Sequence, residues 1–206
     1  MSANPAYMDM VWREGAFLLR DEPFTLKSGR TSHVYANHRN LICDPEILGQ
    51  LGEHLAALAV EAHGPDVWFC GVDSSTSPYL TAAVSLRSGR PLVNYRPINR
   101  EKGLSDTVFS LEGIVSSADR PRHPVVLVDD VVTTSRTLDR AHQDLTYAGW
   151  EVVGAVCLLD RLSSEDRDLI AVPVGSLATL TEVLEHGFAH ELVPAELRHV
   201  VENEKI

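Results

Sequence analysis

Residues 125–137 read VVLVDDVVTTSRT, and this stretch decides the fold. Val125 to Val128 are four consecutive apolar residues, the mark of a short buried strand. Asp129 and Asp130 follow at once. Thr133, Thr134, Ser135 and Thr137 then make a turn of small hydroxylic residues. From Leu138 the spacing becomes helical, with Leu138, Ala141, His142 and Leu145 on one face. Strand, acidic pair, hydroxyl-rich turn and helix in that order is how an α/β protein places an anion at a helix N-terminus. There the backbone N–H groups are unpaired and the dipole is positive. Hydroxyls suit the oxygens of a phosphate. Carboxylates would repel one, and suit ribose hydroxyls or a hard cation such as Mg²⁺ instead. N-capping Thr and Ser in an ordinary strand-to-helix turn would explain the hydroxyls, but not two adjacent acids at a strand end.

Outward from this unit the chain alternates strands and helices. Pro45 opens a long helix over Pro45–His63 that Gly64-Pro65 ends. Strands are expected at Val67–Val72, Pro91–Tyr95, Trp150–Leu159 and Val172–Leu177, with helices at Pro78–Leu86 and Ala178–His186. Arg96–Gly113 reads as a long polar loop. Such alternation implies a parallel sheet with helices on both faces. The site should then lie beyond the C-terminal strand ends, where the loops after Gly71, Tyr95, Val128 and Leu159 open. Before Pro45 the pattern differs. Met8–Leu19 has helical spacing, Arg20–Pro23 reads as a break, and Phe24–Tyr35 alternates around a Ser28-Gly29 turn as a hairpin does.

Composition narrows the function classes. At 206 residues one α/β domain with a small appendage is expected. The formal net charge of −11 argues against a general nucleic-acid or membrane-surface role, which needs a basic face. A local basic pocket for a phosphorylated substrate is compatible with it. Cys43, Cys70 and Cys157 are far apart and lack CxxC spacing. They read as buried thiols in a reducing compartment. The start MSANPAYMDM has no charged-then-apolar leader and no apolar run approaches a membrane span, so a cytoplasmic protein is expected. Of the nine histidines only His33 falls near the proposed pocket, and none has metal-ligand spacing.

The 125–137 stretch resembles the phosphoribosyl-pyrophosphate (PRPP) signature of type I phosphoribosyltransferases, with about ten positions agreeing in kind and order. Phe24-Thr-Leu-Lys-Ser-Gly-Arg-Thr-Ser and Leu159-Asp-Arg161 narrow the resemblance to orotate phosphoribosyltransferase. It spans roughly residues 10–185. The resemblance implies a parallel sheet flanked by helices, with a small N-terminal hood over residues 1–44 and a PRPP-binding core over 45–206. It implies that Asp129 and Asp130 hold the ribose hydroxyls, and that the loop with Val131, Val132, Thr133, Thr134, Ser135, Arg136 and Thr137 cradles the 5-phosphate. Lys27 would help bind PRPP. Tyr35, Ala36 and Thr133 would border the base, and Arg161 would take its carboxylate through two parallel bonds. Arg96, Arg100 and Lys102 stand in the mobile catalytic loop, and Asp130 would join them in catalysis. Mg²⁺ would ride on the pyrophosphate and ribose hydroxyls, and a loop acting across subunits implies a homodimer. Nucleic acid and membrane are not among the implied partners.

Departures from the family pattern are concentrated at the phosphates. The family loop Arg-Lys-Glu-x-Lys-x-His-Gly is here Arg96-Pro-Ile-Asn-Arg100-Glu-Lys102-Gly103, so a lysine is Pro97 and the imidazole is gone. Gly71-Val-Asp-Ser-Ser-Thr-Ser-Pro lacks the paired glycines that let backbone approach a diphosphate. Ser135 stands where the family has Gly, and its Cβ would obstruct a positive-φ turn. Arg136 would either strengthen phosphate binding or fill the site. The alternatives to orotate transfer are a catalytically impaired PRPP- or nucleotide-binding regulator and a phosphoribosyltransferase for another base.

Overall fold

Asn4 starts the first helix, accepting a bond from the Tyr7 N–H at 3.0 Å, with Pro5 preset for the first turn. In the computed structural model, which describes residues 3–26, 29–72, 74–97, 109–112, 123–202 and 204, helix α1 spans Pro5–Arg13. The spacing over Met8–Leu19 had pointed to a later and longer helix. The chain instead turns at Gly15, whose φ of +60° suits glycine, and enters strand β1, Phe17–Thr25. Arg20–Pro23 is therefore no break between elements. It is the irregular middle of β1, where the register to strand β2, Thr31–Ala36, shifts between Leu19 and Phe24. The antiparallel hairpin expected here is present, with Gly29 at φ +85°.

A short helix α2, Arg39–Ile42, leads to α3 at Pro45–His63, the bounds the sequence implied. Asp44 caps α3 by accepting from the N–H groups of Glu46 and Ile47. The remaining elements are β3 (Trp68–Gly71), α4 (Ser77–Ser88), β4 (Leu92–Pro97), β5 (Phe109–Glu112), β6 (Val125–Val132), α5 (Arg136–Tyr147), β7 (Val152–Asp160), α6 (Ser164–Leu169), β8 (Val174–Thr179), α7 (Leu180–Ala189) and α8 (Arg198–Val201). A 3₁₀ turn at Ala195–Leu197 precedes α8. The main sheet has the order β5-β4-β3-β6-β7-β8. It is parallel except for β5, which runs antiparallel to β4. β5 falls within the stretch expected to be loop.

β6 is a run of apolar residues rather than an alternating one because both its faces are covered. Val126 and Val128 pack in one cluster with α1, α3, α4 and α7. Val125 and Leu127 pack in another with Leu138, Ala141 and Leu145 of α5. Cys70 and Cys157 are buried as expected, but Cys43, just past α2, is exposed. No helix among the described residues is long and apolar enough to cross a membrane.

Candidate active site

From β3 the chain crosses through α4 to β4 on one side of the sheet. From β6 it crosses through α5 to β7 on the other. β3 and β6 are neighbours, so the strand order reverses between them, and a crevice opens where the loops after these two strands part. A cleft of about 410 Å³ occupies this place. Its walls are Ser74 and Ser75 after β3, Asp129, Asp130, Val131, Thr133 and Thr137 around the end of β6, Arg161 after β7, and Leu26, Tyr35, Ala36 and Arg39 from the N-terminal segment.

The acids do not follow the strand, as first read, but lie inside it. β6 continues to Val132, with Asp129 opposite Cys157 and Val132 opposite Asp160 on β7. This fixes the backbone of both carboxylates. Asp129 is buried and accepts the Asp130 N–H at 2.9 Å. Burial, and then the charge of Asp130, push the Asp129 carboxyl well above the usual range. Burial pushes Asp130 up as well, but His38, Asp129 and the Val131 N–H together outweigh that and hold it below the usual value. An adjacent neutral acid and carboxylate offer a donor and acceptors together, which is what a vicinal diol needs.

The turn after β6 has ordinary backbone geometry. Ser135 has φ −64° and ψ −24°, so its Cβ obstructs nothing. Among the described residues no position from 133 to 137 has positive φ. Ser135 makes no side-chain cap, leaving the first amides of α5 to another partner. Arg136 is exposed and is not among the cleft's walls, so it does not fill the site. Val132 turns into the hydrophobic core instead of the cleft.

Arg161 is buried beneath the hairpin. Its Nη1 donates to the Val34 carbonyl at 3.1 Å and its Nη2 to Ser32 Oγ at 2.8 Å. It is not the surface ion-pair residue that nearby Asp166 would have made it, since Asp166 pairs with Arg30 at 2.8 Å. The partner Arg161 has is Glu204, with Oε2 4.0 Å from Nη2. Glu204 Oε2 also lies 2.8 Å from Ser32 Oγ, and its Oε1 accepts the His33 N–H. A second cleft of about 390 Å³ joins Glu204 to Arg161 and Thr133.

Several residues at the cleft carry no signal in the sequence. Arg39 lines the cleft and donates from Nη2 to Ser75 Oγ at 3.2 Å, bringing a cation to the glycine-poor loop. His38 is buried behind the acidic pair, with Nδ1 3.9 Å from Asp130 Oδ2, whereas His33 is not among the residues lining either cleft. His38 and Arg39 belong to a segment too short for periodicity to mark, and Glu204 arrives only through tertiary structure. Arg96 is exposed on β4 and outside the cleft's walls. Lys27, Arg100 and Lys102 lie outside the described residues.

A phosphoribosyl transferase domain model matches residues 96–183. An orotate phosphoribosyltransferase of Thermococcus gammatolerans is 32% identical over 162 residues, which cover 78% of this chain and 80% of that one. The chain belongs to the orotate phosphoribosyltransferase family. The crystal structure of the orotate phosphoribosyltransferase from Aeropyrum pernix superposes with a TM-score of 0.71 at 29% identity, covering 87% of this chain and 96% of that one. That of the Mycobacterium tuberculosis orotate phosphoribosyltransferase in complex with PRPP has a TM-score of 0.62 at 19% identity, covering 86% and 96%, and speaks to the fold. As a member of this family the chain is a pentosyltransferase with the type I phosphoribosyltransferase fold.

Proposed function

We propose that this enzyme transfers the phosphoribosyl group of PRPP to orotate, giving orotidine 5′-monophosphate and pyrophosphate. The observation that carries the proposal is one cleft holding an acidic pair, an uncapped helix start and a buried guanidinium. These are partners for a ribose diol, a phosphate and a carboxylate. Asp129 and Asp130 take the ribose hydroxyls. The turn from Thr133 to Thr137 takes the 5-phosphate, with Thr134 and Ser135 contributing backbone. Tyr35, Ala36 and Thr133 border the base, and Arg161 faces its carboxylate. Arg39 supplies positive charge for the pyrophosphate beside Ser75, joined by Lys27, Arg96, Arg100 and Lys102.

The C1–O bond breaks toward pyrophosphate, the ribose gains oxocarbenium character, and a ring nitrogen of the base attacks. The protein contributes positioning and charge stabilisation, and no covalent enzyme intermediate is required. Among the described residues no three metal-ligating side chains converge. Mg²⁺ would be carried by the oxygens of the pyrophosphate and ribose and by water. Residues 1–44 serve as the hood, and the working form is a cytoplasmic homodimer. The test is to mix the purified protein with PRPP, Mg²⁺ and orotate and follow orotate absorbance. Its loss supports the assignment. No turnover with orotate but turnover with another base reassigns the substrate. Tight PRPP binding without any product assigns a regulator.

A further inference from the structure

Behind the acidic pair lies a buried contact that the transfer reaction as described does not use. Tyr7, from α1, and His38, just before α2, are both essentially without solvent exposure. The Tyr7 hydroxyl lies 2.8 Å from His38 Nε2. Nδ1, on the other side of the ring, lies 3.9 Å from Asp130 Oδ2 and has no hydrogen-bond partner among the described residues. Asp130 is a wall of the cleft. The ring is thus wedged between a phenol and the carboxylate that faces the ribose.

When the His38 ring is neutral, the phenol decides which of its nitrogens carries the hydrogen. Burial pushes the Tyr7 hydroxyl well above its usual range, so it keeps its proton. Among the described residues its single hydrogen bond is to His38. A buried O–H donates where it can, so it donates to Nε2. That leaves the ring hydrogen on Nδ1, the nitrogen 3.9 Å from Asp130 Oδ2.

We propose that Tyr7 and His38 form a relay that positions Asp130: Tyr7 fixes the tautomer of His38, and the Nδ1–H of His38 holds the Asp130 carboxylate in place and charged for the ribose hydroxyls. His38 is a positioning residue in this scheme, since it reaches substrate only through Asp130. The inference rests on the assignment of Asp130 to the ribose.

Two substitutions at His38 separate the halves of the relay. Asn places its amide near the position of Nδ1 and keeps a donor for Asp130. Gln reaches the position of Nε2 and keeps only the link to Tyr7. The experiment measures KM for PRPP, KM for orotate, kcat and Tm for H38N, H38Q, Y7F and D130N. H38Q is expected to raise KM for PRPP about tenfold with KM for orotate unchanged, while H38N stays within about threefold of the starting protein. Y7F should fall between them, because the ring is then free to present a bare nitrogen to a carboxylate. A merely structural role would lower Tm and move both KM values together. If D130N raises KM for PRPP and H38Q does not, the relay is wrong and the ribose assignment stands. If D130N leaves KM for PRPP unchanged, the ribose assignment itself fails.

Discussion

Glu204→Gln should make the enzyme bind orotate more tightly. Glu204 Oε2 lies 4.0 Å from Arg161 Nη2, and the two side chains are 11% and 8% exposed. An orotate carboxylate arriving on the same guanidinium would meet a second negative charge at roughly 5 Å. At an effective dielectric of about 20 the repulsion is about 3 kcal/mol, and about half that where water from the cleft screens it. Removing the charge should therefore lower KM for orotate by about tenfold or more. Gln keeps an oxygen for the His33 N–H and nearly the same shape, so the hairpin should stay in place. The assay is steady-state kinetics with orotate and with uracil, which shares the ring but has no carboxylate. KM for orotate should fall, while KM for uracil and for PRPP stay as they were. An unchanged or raised KM for orotate would refute the reasoning. A parallel rise for both bases with a lower Tm would show Glu204 to be a brace for the hairpin.

Arg39→Ala removes a cation beside Ser75. It should raise KM for PRPP and weaken product inhibition by pyrophosphate about tenfold, with ribose 5-phosphate binding unchanged by calorimetry. Asp129→Asn should abolish PRPP binding yet stabilise the unliganded protein. The folded pKa is raised, so the folded chain holds a proton that the unfolded chain releases above about pH 3.9. Stability is lost as pH rises from there through the folded value. The substitution should thus raise Tm at pH 8 by a few degrees and hardly at all near pH 4, as melting curves at the two pH values will show. Cys43 is exposed, whereas burial pushes the Cys70 thiol up to about 12 and raises Cys157 well above the usual thiol range. A thiol titration with a disulfide reagent should find one fast group and two that react only after denaturation.

The core was legible because its signals are local. Pro45 and Gly64-Pro65 mark the two ends of α3, and the apolar run from Val125 can satisfy itself only as a strand covered on both sides. The acidic pair, the hydroxyl turn and Arg161 stood out for the same reason, since each sits in a short motif within or just after a strand, and the fold brings residues of all three to one cleft. What escaped notice depends on contacts between distant residues. β1 tolerates Arg20–Pro23 because an edge hairpin can absorb an irregular register, which no periodicity displays. The Ser135 side chain looked obstructive only on the assumption that the turn keeps a glycine's backbone, and the chain takes an ordinary right-handed conformation there instead. His38, Arg39 and Glu204 carry no spacing signal, because their partners lie some 30 to 170 positions away along the chain.

Two of the five N–H donors of Arg161 are held by the Val34 carbonyl and Ser32 Oγ. A carboxylate that draws the guanidinium toward itself would strain those two bonds, and a hairpin that holds them more tightly would resist it by the same factor. With Arg161 in its proposed role, the hairpin and the base would thus be coupled through one side chain, and a substitution that stiffens the hairpin would register as weaker base affinity even where it touches no substrate.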